Sequence, residues 1–145
     1  MYQVVYLSRA KGRLDQDQID ELQRQASDAN AKVDVTGLLL FDGRRFIQAL
    51  EGPQAAVEEI MRRIIADPRH DSIDYLSHGT VAHRHFGKWS MDYRRADEGC
   101  CSSEFLAKVK EGVESVRDPK LQAAFIGFAS LSVTRPAGYR WSAEA

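Results

Sequence analysis

The spacing of apolar residues along the chain changes period several times, and each change marks an element. Val4, Tyr6 and Ser8 alternate with Val5 and Leu7, the two-residue repeat of a strand. A polar turn holding Gly12 follows, and then Ile19, Leu22, Ala26 and Ala29 recur at helical spacing. Asp15 with Gln18 three residues on is a variant of the capping box. Asn30 falls where that helix should stop, in the role of a residue that tolerates left-handed backbone. VTGLLLFDGRRFIQALEG, residues 35–52, has apolar runs on either side of Asp42-Gly43, a dipeptide suited to a tight hairpin. A two-residue loop there places Gly37, Leu39 and Phe41 on the face of Phe46 and Gln48, with room opposite Gln48 at Gly37. Pro53 is accepted in the first turn of a second helix whose apolar face is Val57, Ile60, Met61, Ile64 and Ile65. Asp67-Pro68 ends it. Ile73 to Ala82 reads as a fourth strand. A fifth has Trp89, Met91 and Tyr93 on one face and Ser90, Asp92 and Arg94 on the other.

This order predicts an α+β, ferredoxin-like βαββαβ fold with an added fifth strand, both helices covering one face of a mixed sheet. From Ser103 the pattern turns helical again. SSEFLAKVKEGVESV carries Phe105, Leu106, Val109, Val113 and Val116, and PKLQAAFIGFASL carries Leu121, Phe125, Ile126 and Phe128. Segments so short and apolar do not stand alone, so they are expected to cover the sheet's other face. The expected division is a domain at 1–97 and a C-terminal helical cap at 98–145.

Composition narrows the function rather than the fold. At 145 residues the chain holds one domain with a real core. Its net charge of -1 gives no pull toward nucleic acid or an anionic membrane. No apolar run approaches a membrane span and no signal-peptide pattern opens the chain. The only cysteines, Cys100 and Cys101, are adjacent and lack a spaced partner. The expectation is a cytoplasmic protein. G-x-G-x-x-G, P-loop and G-x-S-x-G motifs are absent, and His83 with His85 makes a weak metal signal without a third ligand.

Gln48 is the residue that asks for chemistry. An amide on the same strand face as Phe46 and Leu50 needs partners, since leaving it unpaired costs about 1–3 kcal/mol. Tyr6, on the other central strand, is complementary to it, each group able to donate and accept. Read blandly, the two are a satisfied polar pair in the core. Trp89 and Met91 are by default core filler, and Arg63 an arginine laying its stem on the core with its head in water. Read functionally, Tyr6, Gln48, Asn30 and Arg63 form a polar cluster beside an apolar slot between the helices. Such a slot suits a flat ligand with carbonyls and ring nitrogens.

The segments VVYLSRA (4–10), NAKVDVTGLLL (30–40), GRRFIQALEG (43–52), MRRIIADPRHDSI (61–73) and FGKWSMDYR (86–94) resemble, in order and spacing, the BLUF family of blue-light sensors that use flavin. The resemblance covers about the first two thirds of the chain. It implies a ferredoxin-like fold holding a non-covalent flavin between the two helices, FAD with FMN or riboflavin as alternatives. Tyr6 matches the tyrosine that gives up an electron and a proton, and Gln48 the glutamine between it and the flavin. Asn30 and Arg63 match residues at the ring carbonyls. Leu22 and Ile64 would sandwich the ring, with Phe46, Asp67, Arg69 and His70 lining the site. Trp89 and Met91 match the pair associated with signal exit. The resemblance further implies a sensor rather than an enzyme, reporting light through a homodimer or larger homo-oligomer and a separate protein partner. An acylphosphatase-like hydrolase and a non-photoactive binding module on the same fold are the alternatives. The first would need a phosphate loop that SRAKGR does not supply, the second, as an RNA binder, a basic aromatic sheet face.

Overall fold

The computed structural model describes residues 1–12, 14–86 and 102–133. The expected fifth strand, with Trp89 and Met91, lies outside them. The elements run β1 (Tyr2–Ala10), α1 (Gln16–Ala31), β2 (Thr36–Phe41), β3 (Arg45–Gly52), α2 (Gln54–Ala66), β4 (His70–Thr80), α3 (Ser102–Gly112) and α4 (Pro119–Val133). The strand order is β2-β3-β1-β4, so Tyr6 and Gln48 stand on the two central strands as expected. Among the described strands every neighbouring pair is antiparallel. β1 and β2 run the same way, but β3 inserts between them and turns each contact antiparallel.

Both faces of the sheet are covered. Val5, Leu38, Leu40, Ile47 and Ala49 point to one face and bury against Val109, Val113, Leu121, Phe125 and Phe128 of the C-terminal segment. The alternate positions point to the other. Val4, Tyr6 and Leu50 pack with Val57, Ile60 and Met61 of α2, and Leu39, Phe41 and Phe46 pack with Ile19 of α1.

The local signals explain where elements start. Asp15 Oδ1 accepts from the Gln18 N–H at 2.8 Å and Gln18 Oε1 from the Asp15 N–H at 2.9 Å, so the capping box is closed. At the hairpin, Asp42 Oδ1 accepts from the N–H groups of Arg44 and Arg45 at 2.9 and 2.7 Å. That bond moves the tight loop one residue on, to Gly43-Arg44, with Gly43 at φ 94. The face assignment survives but the partners shift by two: Leu39, not Gly37, is opposite Gln48, and Gly37 is opposite Leu50. Gly37 is needed for a different reason. A Cβ there would lie 1.9 Å from the Ala49 carbonyl oxygen.

Other boundaries move for comparable reasons. Pro53 is the N-cap of α2 rather than its first helical residue, and its carbonyl accepts from the Val57 N–H at 3.0 Å. Ile65 is 56% exposed, rolled past the buried stripe of Val57, Ile60 and Met61. β4 begins at His70 because β1 continues pairing through Ala10. Asn30 is helical, and the left-handed residue is Asp34 at φ 59. The Asn30 carbonyl closes the helix by accepting from the Val33 and Val35 N–H groups at 3.2 and 3.1 Å.

Candidate functional site

A cavity of about 260 Å³ lies between α1 and α2 on the sheet face that carries Tyr6 and Gln48. Its walls follow from the helical and strand periods already described. α1 turns Leu22, Ala26, Ala29 and Asn30 toward it, and α2 turns Ile60, Arg63 and Ile64. The sheet contributes Tyr6, Leu39, Phe46 and Gln48, and the turn after α2 contributes Asp67, Arg69 and His70. The α1 stripe is only half-buried beyond Ile19 because it borders this space instead of packing on the sheet.

At the back of the cavity the Tyr6 hydroxyl donates to Gln48 Oε1, the two residues being direct cross-strand partners. Both are buried. Burial, with smaller pushes from the Asp67 carboxylate and the Tyr75 phenol, raises Tyr6 far above its ordinary value of 10.0. It therefore stays a protonated donor around neutral pH. Because the Gln48 oxygen is held by Tyr6, its amino group is the end left to offer a donor. Asn30 is 2% exposed and its Nδ2 has no hydrogen-bond partner. A buried amide donor left so costs about 1–3 kcal/mol and marks a place for an acceptor.

Charge ties the turn after α2 to α1 beside the cavity. Asp67 accepts from the Arg69 backbone N–H at 2.9 Å and from its guanidinium at 2.6 Å, and Arg69 reaches across to Gln25 Oε1 on α1 at 3.1 Å. Burial pushes the Asp67 carboxyl up, but the Arg69 hydrogen bonds and charge outweigh it and hold the group below its ordinary range. His70 Nε2 lies 2.6 Å from the Ile64 carbonyl, which only accepts, so Nε2 carries the proton. Nδ1 lies 2.8 Å from the Ser8 hydroxyl, completing a second hydrogen bond. Thus His70 fastens β1 to the last turn of α2, where Ile64 borders the cavity.

Tyr6, Gln48, Asn30, Leu22, Ile64, Phe46, Asp67, Arg69, His70 and Arg63 thus border one space. Arg63 alone is peripheral. Its side chain is 69% exposed, 3.5 Å from Glu59 one turn back on α2. Trp89 and Met91 lie outside the described residues. Ser8 and Gln25 were missed, since a serine in an alternating strand and a glutamine on a solvated helix look like ordinary surface.

The space fits a flavin on the structure's own terms. Leu22 and Ile64 offer aliphatic contact from opposite helices. The unpaired Asn30 amide and the Gln48 amino end offer donors to ring carbonyls and nitrogens. The polar residues converge on an otherwise apolar cavity, as in a site for a flat aromatic molecule with a polar edge.

A ferredoxin-like sheet whose two helices enclose a buried, hydrogen-bonded Tyr–Gln pair defines a domain with a mainly apolar pocket for a flat ligand. The chain belongs to the BLUF family, sensors of blue-light using FAD, whose model matches residues 1–92. It is 39% identical over 89 residues to the blue light- and temperature-regulated antirepressor BluF of Escherichia coli, 61% of this chain and 22% of that protein. Klebsiella pneumoniae BlrP1, solved with FMN and cyclic diGMP, is 29% identical with a TM-score of 0.71, covering 87% of this chain and 34% of that one. BlrB, a BLUF protein in its dark state, is 30% identical with a TM-score of 0.63, covering 90% of this chain and 96% of that one. The chain therefore spans about a fifth of the E. coli relative and about a third of BlrP1. Among the described residues no helix is long and apolar enough to cross a membrane.

Proposed function

We propose that this chain senses blue light through a flavin, FAD in preference to FMN, held non-covalently between α1 and α2. The observation that carries the reading is the buried Tyr6–Gln48 hydrogen bond opening onto the same cavity as the unpaired Asn30 amide. When bound, the flavin supplies the absorption of blue light and a transient acceptor for an electron. The rest belongs to the protein. The Tyr6 hydroxyl proton lies on its bond to Gln48 Oε1, so with the electron passed to the ring the proton would move along that bond, and the return of both to Tyr6 would leave Gln48 rearranged. An amide has a donor end and an acceptor end, so turning it exchanges every bond it makes. Leu22 and Ile64 hold the ring, while Asn30 fixes its carbonyl edge. Asp67, Arg69 and His70 keep the mouth and the end of α2 in place.

The chain acts as a sensor and not an enzyme, and it reports light by protein contacts in the cytoplasm, as a homodimer or larger homo-oligomer and through a separate partner. The name of the E. coli relative, an antirepressor, supports a contact-based output.

The test is an absorption spectrum of the flavin-loaded protein before and just after blue light. The expected result is a small red shift of the flavin bands that relaxes in darkness. Gln48→Leu removes both ends of the amide and is expected to bind flavin without any shift. A loaded Gln48→Leu protein that shifts as the parent does would overturn the assignment.

A further inference from the structure

Glu51 stands three residues beyond Gln48 on β3, on the opposite sheet face. Its side chain is fully buried. Nothing in the flavin site needs it. Burying a carboxylate is costly unless it is fully hydrogen-bonded, and here every partner but one comes from a single short segment. Glu51 accepts from the His85 N–H at 2.8 Å, the Phe86 N–H at 2.8 Å and His85 Nδ1 at 2.9 Å. The remaining donor is Gln3 Nε2 on β1, at 2.9 Å.

Two further contacts make this segment a junction. Arg84 donates to Thr36 Oγ1, the Glu51 carbonyl and the Asp34 carbonyl at 2.6, 3.0 and 2.8 Å, pinning the same segment to the ends of β2 and β3. Phe86 is buried in the core beneath the C-terminal helices, edge-on to Phe125 of α4 with ring centres 5.9 Å apart.

The placement matters because Gln3↔Glu51 and Tyr6↔Gln48 are cross-strand pairs on the same β1–β3 ladder. They lie about 10 Å apart along the strands and on opposite faces. We propose that Glu51 is a positioning residue that couples the switch face to the helical face. Resting on the photosensory reading above, the rearrangement at Gln48 shifts β1 against β3, the Gln3–Glu51 pair rides on that ladder, and Glu51 carries the shift into residues 85 and 86 and so to α4. Light then loosens the seating of Phe86 against Phe125, by a route that needs no contact between the flavin and the C-terminal helices.

The experiment is amide hydrogen exchange of the full-length, FAD-loaded protein in darkness and under blue light, with the absorption spectrum recorded on the same samples. In the parent protein, light should speed exchange at His85, Phe86 and within 119–133. In Glu51→Gln, whose carbonyl oxygen keeps the N–H bonds of 85 and 86 while its amino group replaces the oxygen that faces Gln3 Nε2 and His85 Nδ1, the link to β1 is cut: the red shift should persist while the light-dependent difference at 119–133 is lost. A role confined to stability would change the variant's exchange alike in darkness and in light and leave that difference in place. Gln3→Met, which removes only one donor, serves if Glu51→Gln does not fold, and should shrink the difference. A parent protein that shifts in colour without any change at 85, 86 or 119–133 overturns the coupling and leaves the photosensory reading standing. So does a variant that keeps the full difference. Absence of the red shift in the parent overturns both.

Discussion

Asn30 serves two masters within one residue. Its carbonyl closes α1 on Val33 and Val35, while its side chain presents an unpaired Nδ2 to the cavity. The two roles can be separated, because Asn30→Ala keeps the carbonyl and removes the amide. In flavin-free protein this variant should lose no thermal stability and gain up to about 1 kcal/mol, since an unsatisfied buried donor disappears. In the same variant flavin should bind more weakly, by roughly 2- to 10-fold, the worth of one net hydrogen bond. Melting curves and a fluorescence titration check the two signs. At this scale the chemistry was legible wherever a polar residue interrupted an apolar face, as with Tyr6 and Gln48. It was illegible where the polar residue looked like surface. Ser8, Gln25 and Glu51 fall in that group. So does the position of Arg63, whose stripe placed it near the cavity but whose pairing with Glu59 holds its head at the rim.

Among the elements, the β2–β3 hairpin and the turn after α2 carry the sharpest expectations. Gly37 lies where the backbones of β2 and β3 approach, and a Cβ would meet the Ala49 carbonyl. Gly37→Ala should destabilise by about 1–3 kcal/mol or more, as overpacking does, and weaken flavin binding by disturbing the strand that carries Gln48. A chemical denaturation midpoint measures the first. The Asp67–Arg69 pair gives a pH dependence. Asp67 titrates lower in the folded protein than its ordinary 3.8, so its contribution is complete above that value and is lost as pH falls below it through the folded value. Asp67→Asn should flatten stability against pH in that acid window and leave its neutral-to-alkaline course unchanged. The helices and the hairpin were legible because period and turn chemistry agree there. The register was not, since the Asp42 side-chain bonds that move the loop lie below the resolution of an alternating pattern.

On the scale of the whole molecule the sheet serves two cores. One face surrounds the cavity and the other is sealed by α3 and α4. Phe125 is fully buried on the sealed side. Phe125→Ala should cost about 3–5 kcal/mol, a large share of a typical domain's stability, and lower Tm accordingly. At temperatures where the variant stays folded, the light-induced red shift should be retained, because Phe125 touches neither Tyr6 nor the cavity. Coverage of the second face by the C-terminal helices was readable from their short, apolar character. What ties them to the sheet was not, because a buried glutamate among backbone donors leaves no periodic trace.

β4 has one further consequence. Among the described residues it pairs only with β1, and its register breaks on either side of the residues facing Tyr6 and Leu7, with Ser72 left-handed at φ 55. Two such breaks in eleven residues spoil the straight row of amides that an incoming strand needs as a template. The bulges that fit β4 around the switch tyrosine therefore also act as a safeguard against fibril growth. Tyr75 and Leu76, about half exposed, therefore sit on backbone that a second copy cannot readily extend strand by strand.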